Sequence, residues 1–211
     1  MKIIKLTGSI IFLFLFGCTS SRITHSWKSK NVVAKKYDNI LVMDLNNETD
    51  ISIVEKMENH MVGDLTDLGY SSTSSLKEYG PETFRKIYDG SAITQLQNSR
   101  FDVVITIVLL TKTQEKVYIP GGFLGYFNSI YDRIYTPGYY STSTRYFWES
   151  NLYDIATREL LYSARTESFD PASTERLGHE YGKMIVKDMV KKKVLNRRVK
   201  VSTEQKIVSI K

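Results

Sequence analysis

Phe101-Asp-Val-Val-Ile-Thr-Ile-Val-Leu-Leu110 (FDVVITIVLL) is the stretch on which the fold turns. From Val103 to Val108 every residue is β-branched. Such side chains are stiff about their first torsion and fit a pleated surface better than a helix. Apolar and polar residues do not alternate here, as they would in a strand with one wet face. The run therefore predicts a strand buried on both faces, at the centre of a sheet with helices packed against it.

Working back towards the N-terminus, Asn39–Leu45 (NILVMDL) is a second short apolar run and a second buried strand. Between the two strands Val54, Met57, Met61, Leu65 and Leu68 recur at spacings of three and four, the single apolar face of a helix. Ser52 with Glu55 has capping-box spacing, and Gly69 sits where a helix end needs positive φ. Tyr70–Ser75 reads as a weaker strand. Pro81 can open a helical turn, and Ser91–Asn98, with Ile93 and Leu96 on one side, reads as a short helix.

Working forward, Ser143–Ile155 and Glu159–Ser168 form an antiparallel hairpin about Ala156–Glu159. Leu177, Tyr181, Met184, Ile185 and Met189 trace a closing helix, with Ser173 and Thr174 as caps and Lys191–Lys193 at the favourable C-terminal end. The order is β-α-β-α-β, an aromatic insertion over 118–148, a hairpin and a helix. That is an α/β or α+β fold, a mixed sheet with helices packed on it.

The chain has 211 residues, enough for one domain, and 42% hydrophobic with 25% charged residues are globular values. Its formal charge is +6, but Lys2 and Lys5 lie in a leader. Without them 27 basic residues face 23 acidic ones, a net +4, scattered and too mild for a nucleic-acid partner. A lone cysteine excludes an internal disulfide, and three dispersed histidines offer little to a metal.

The leader occupies 1–17. Two lysines precede an apolar run, Leu6–Phe16 (LTGSIIFLFLF), which as a helix would reach about 16 Å, against the roughly 30 Å of a bilayer core. It is a signal-peptide core. Leu15-Phe16-Gly17-Cys18 then resembles a bacterial lipobox, with Phe16 bulkier than usual for its place. The resemblance implies cleavage before Cys18, diacylglycerol and palmitate on the cysteine, and a permanent membrane anchor, since each buried CH₂ contributes about 0.8 kcal/mol. Thr19 is not the aspartate that retains such proteins at the inner membrane, which implies the outer membrane. Residues 19–24 (TSSRIT) lack an acidic export run, which places the domain on the periplasmic face. Residues 18–36 read as a lipidated cysteine and flexible tether, 37–195 as one domain, and 196–211 as a basic tail in which VSTEQKIVSI has edge-strand character.

Taken together, Tyr37–Leu45 (YDNILVMDL), the helix ending Leu68-Gly69-Tyr70, Phe101–Ile107, the hairpin Leu152–Ala164 and the closing helix resemble a family of bacterial envelope lipoproteins. That family is broadly similar to the N-terminal domain of the Tol translocation protein, the lipoprotein activators of penicillin-binding proteins and the curli secretion lipoprotein. The resemblance covers roughly 37–195 and implies a non-enzymatic role. Cys18 is the one residue to which it assigns a function.

Among candidate sites, Asp44-Leu-Asn46-Asn-Glu48-Thr-Asp50-Ile-Ser52-Ile-Val-Glu55 places oxygen ligands at the spacing of a calcium loop. Thr49 stands where that loop needs glycine, a strand precedes it, and helix capping with loop solubility accounts for the same residues. The aromatic insertion is the other feature. Tyr126, Phe127, Tyr131, Tyr135, Tyr139 and Tyr140 form a partner-binding surface on one reading, a lid over the sheet on another and a glycan-stacking platform on a third. No nucleophile with a spaced base and no phosphate cradle is recognisable. The expectation is an outer-membrane lipoprotein without enzymatic activity or cofactor, an adapter or binding module that contacts an envelope protein. The alternatives are a structural subunit of an envelope secretion or assembly complex, and a peptidoglycan-binding protein.

Overall fold

The computed structural model describes residues 20–32, 37–46, 51–80, 96–119, 123–124, 134–135 and 138–198. Among the described residues there are eight strands: β1 Ser21–Lys28, β2 Asn39–Asp44, β3 Ser71–Ser74, β4 Val103–Ile119, β5 Phe123–Leu124, β6 Ile134–Tyr135, β7 Tyr139–Asp154 and β8 Leu160–Phe169. The helices are α1 Ile51–Asp67, α2 Ser75–Tyr79 and α3 Thr174–Lys191. Six strands form one mixed sheet in the order β1-β8-β7-β4-β2-β3, and β5 pairs with β6 apart from it. β2 is parallel to both β3 and β4, whereas β4-β7, β7-β8 and β8-β1 are antiparallel.

β4 is an interior strand, and Val103–Ile107 are buried as the β-branched run requires. The period of two divides the strand residues between two cores. Ile40, Val42, Val103, Ile105 and Ile107 join Trp148, Leu152 and Tyr162 beneath Met57, Met61, Leu65, Tyr181 and Ile185 of the long helices. Leu41, Met43, Val104, Phe101 and Ile155 form a smaller cluster on the opposite face, packed by Tyr79 and Leu96. Gly69 follows α1 at φ +93°, as its position requires, and Ser173 caps α3 by accepting from Arg176 N–H at 3.1 Å. Fold class, helix faces and the hairpin of β7 with β8 agree with the sequence reading.

Three segments differ from it. Residues 21–28, read as flexible tether, are an edge strand paired along β8 from Ser21↔Ser168 to Lys28↔Tyr162. An edge strand is held by its backbone ladder and needs no apolar run, so this one has none to reveal it. The 118–148 insertion is shorter than its composition implied. β4 continues to Ile119, β7 begins at Tyr139, and the two pair throughout. Ser52 does not cap α1, because the helix begins at Ile51.

The basic tail is anchored at its start. Arg198 N–H donates to Leu68 O at 2.8 Å, and the guanidinium lies 4.3 Å over the Tyr70 ring and pairs with Asp38. Pro81, most of Ser91–Asn98, and residues 199–211 lie outside the described residues.

Candidate functional site

One end of the sheet is unlike the other. β8 stops pairing with β7 at Arg145↔Phe169, and Ser20 O closes β1 onto Phe169 N–H at 2.8 Å. Past this row of Ser20, Phe169, Arg145 and Thr113, Asp170 N–H still donates to Thr144 O at 2.7 Å, and then, among the described residues, β4 and β7 go on alone as a ribbon whose pairing ends at Ile119↔Tyr139. Six further pairs at about 3.3 Å per residue carry the ribbon roughly 20 Å past the row.

Polarity changes along the ribbon, not across it. The shaft is Gln114, Glu115 and Lys116 opposite Thr144, Ser143 and Thr142, and Val117 opposite Ser141 marks the change. The tip carries Val117 and, beyond it, Tyr118 and Ile119 opposite Tyr140 and Tyr139, with Tyr118 54%, Tyr139 61% and Tyr140 72% exposed. Directly paired residues share a face, so Ile119 and Tyr139 project from one side and Tyr118 and Tyr140, with ring centroids 5.1 Å apart, from the other. Both faces are apolar at the tip. An isolated two-stranded ribbon is marginal in water, and among the described residues none covers the large apolar groups that this one exposes.

The root of the ribbon is held by charge. Glu167 on β8 accepts from Arg22 at 2.6 Å and from Arg145 at 2.8 Å, and these bonds hold its carboxyl below the usual carboxylate range. Arg145 also lies 4.8 Å over the Phe169 ring. Ser20 is fastened by Glu180 of α3, which accepts from its N–H at 3.0 Å and its hydroxyl at 2.9 Å. Burial pushes the Glu180 carboxyl up, but the bonds from Arg176 and Ser20 leave it below its ordinary value.

A groove of about 800 Å³ runs between β1 and α3, with Ile23 and Met184 in its lining and Arg176, Lys183, Lys187 and Lys191 along it. At its α1 side His60 Nε2 meets Glu175 at 2.6 Å, and Lys56 pairs with the same carboxylate at 2.8 Å. Beneath, α1 and α3 approach closely at Gly178 and Gly182: a Cβ at Gly178 would lie 2.8 Å from the Lys56 carbonyl oxygen. Among the described residues no group of three or more His, Cys, Asp and Glu is placed to hold a metal ion. None of the described helices is long and apolar enough to cross a membrane.

Glu58, which the sequence reading passed over, is fully buried on α1. Its carboxylate accepts from Asp44 N–H at 2.8 Å, the Ser75 hydroxyl at 2.7 Å and Leu76 N–H at 3.1 Å. Burial nevertheless pushes its pKa up. This node ties the end of β2 to the start of α2. The signal in the sequence was a glutamate on the apolar stripe of α1, one residue after Met57.

Of the residues proposed for partner contact, Tyr139 and Tyr140 stand on the ribbon tip, and Tyr135 lies in β6 opposite Phe123. Cys18, Tyr126, Phe127 and Tyr131 lie outside the described residues. Of the calcium pattern, Asp44 is buried with Oδ1 accepting from Asn46 N–H at 2.9 Å, and Glu55 is exposed on α1. Residues 47–50 are outside the described set.

No family model and no curated protein matches the sequence. Solved structures do. The chain is similar to PelC, crystallised as a dodecamer, from Paraburkholderia phytofirmans, with 11% identity over 84% of this chain and 99% of that one, at a TM-score of 0.46. It is also similar to the lipoprotein GNA1162 from Neisseria meningitidis, with 18% identity over 73% of this chain and 99% of that one, at a TM-score of 0.43.

Proposed function

We propose that this chain is a bacterial lipoprotein, anchored through acyl groups on Cys18 at the periplasmic face of the outer membrane. Its domain serves the envelope as a non-enzymatic binding module, and the ribbon tip carries the contact. The kinship with the envelope lipoproteins read from the sequence belongs to this proposal, supported by the order β2-α1-β3-α2-β4, then the β7–β8 hairpin and α3, among the described residues.

One observation carries the reading. The ribbon leaves the sheet with Val117, Tyr118, Ile119, Tyr139 and Tyr140 uncovered, and exposed apolar groups gathered at the end of a marginal element mark a surface built to be covered. The leader supplies the location, since its sole cysteine directly follows an apolar run too short to span.

Growth in labelled palmitate, followed by separation of inner from outer membranes, tests it. The wild type is expected to carry label in the outer-membrane fraction, and Cys18→Ala to carry none. Label retained by Cys18→Ala, or wild type recovered without label, overturns the proposal.

A further inference from the structure

The ribbon and the chain end that leads to Cys18 leave the sheet on the same side. β1 is antiparallel to β8, and β8 to β7, so β1 and β7 run in the same direction. Following β1 backwards reaches Ser20 and, two residues earlier in sequence, Cys18; following β7 backwards reaches Tyr140 and Tyr139 at the tip. Resting on the lipoprotein reading above, we infer that the ribbon tip is immersed in the lipid of the same bilayer that holds Cys18.

Length makes the contact hard to avoid. Ser20 is pinned to Glu180 and to Phe169, which leaves two residues of slack, at most about 7 Å of chain. The ribbon extends roughly 20 Å past the same row at about 3.3 Å per residue. With Cys18 at the membrane surface, an upright ribbon carries its tip roughly 13 Å further, beyond a headgroup layer about 5–8 Å thick. A tilted ribbon brings the tip to rest within that layer.

The chemistry distinguishes lipid from a protein partner. A partner packed against a ribbon covers one face, and selection then sorts residues with a period of two. A bilayer sorts them by depth. Here the pairs Gln114↔Thr144, Glu115↔Ser143 and Lys116↔Thr142 are polar on both faces, Val117↔Ser141 is the transition, and the last two pairs are apolar on both faces. The rings are tyrosines, an apolar body with a polar tip, suited to the boundary between headgroup and acyl chain. Lys116, one residue short of the apolar tip, has the reach to lay its stem along lipid and its ammonium among phosphates. Lipid and ribbon together make two points of attachment. They fix the orientation of the domain, with Asp102 and Ile155 at the far end of the sheet turned away from the bilayer.

The test uses the full-length lipidated protein in vesicles of phosphatidylethanolamine and phosphatidylglycerol. With Cys18 acylated, Tyr140→Cys or Tyr118→Cys supplies a single thiol for an environment-sensitive fluorophore, and exposed Ala156→Cys is the control at the far end. The expected result is a blue shift at 140 and 118 together with quenching by nitroxide-bearing lipids, and neither at 156. Protein that floats with the vesicles while both tip labels remain water-like overturns the immersion and leaves the anchor standing. A blue shift without nitroxide quenching means that a second copy covers the tip, and this also overturns it. Protein that fails to float removes the anchor and the immersion together.

Discussion

Ser20 and Glu180, 160 positions apart, are joined by two hydrogen bonds: the backbone N–H of Ser20 donates to the carboxylate at 3.0 Å and its hydroxyl at 2.9 Å. The same carboxylate receives Arg176 at 2.8 Å, one turn earlier on α3. The pair converts what reads as the middle of a tether into a fixed point on the domain.

Replacing Glu180 by Ala should therefore release the first turn of chain from the sheet. Hydrogen bonds to a charged, mostly buried carboxylate justify an effect of about 1–2 kcal/mol. Amide exchange at Ser20–Ile23 reports it, expected to accelerate several-fold while β4 and β7 stay protected. Unchanged exchange at those amides would show that the β1 ladder alone holds the chain end.

Acid should loosen the same edge. The bonds from Arg22 and Arg145 hold the Glu167 carboxyl below the roughly 4.3 of an unfolded glutamate. A depressed pKa contributes stability that is complete above the unfolded value and is lost as pH falls through the folded one. The gap in urea midpoint between wild type and Glu167→Gln should thus be constant near neutrality and close progressively below about pH 4.3. A gap that widens on acidification would reverse the assignment.

Two glycine substitutions should act with opposite sign. A Cβ at Gly178 would meet the Lys56 carbonyl oxygen at 2.8 Å, so Gly178→Ala forces α1 and α3 apart at a cost of about 1–3 kcal/mol. Gly63, inside α1, has nothing within 4 Å of its Cβ position. Gly63→Ala should stabilise by up to about 1 kcal/mol through helix propensity. Urea unfolding of both variants measures this, and equal effects would sink the packing argument.

Glu58→Gln retains shape and removes an acceptor. The new amide NH₂ must face either Leu76 N–H or the pair of donors from Asp44 and Ser75, placing donor against donor. A loss of about 1–3 kcal/mol is expected, read as a shift in urea midpoint. Stability equal to wild type would mean that burial of the charge outweighs its hydrogen bonds.

What was legible in the sequence was local. Val103–Val108 specified an interior strand because β-branched burial on both faces has few other solutions, and Met57, Met61 and Leu65 specified a helix face by spacing alone. Gly69 and Ser173 marked helix ends because those positions have strict backbone and hydrogen-bonding needs. The aromatic density about Tyr139 and Tyr140 was also visible, but its geometry was not. Thr111–Lys116 has no apolar alternation, since no core lies beside the ribbon, so a strand there leaves no pattern.

The sequence by itself determined the interior strands, the helix faces and the helix ends at Gly69 and Ser173, because each follows from contacts within a few residues or from simple periodicity. Tertiary structure alone decided that residues 21–28 close the sheet, that Glu180 receives Ser20, and that the ribbon tip points the way the chain leads to Cys18. These depend on backbone ladders and charge pairs between distant segments, where nearly any polar residue can serve and the pairing exists once the sheet has set the register.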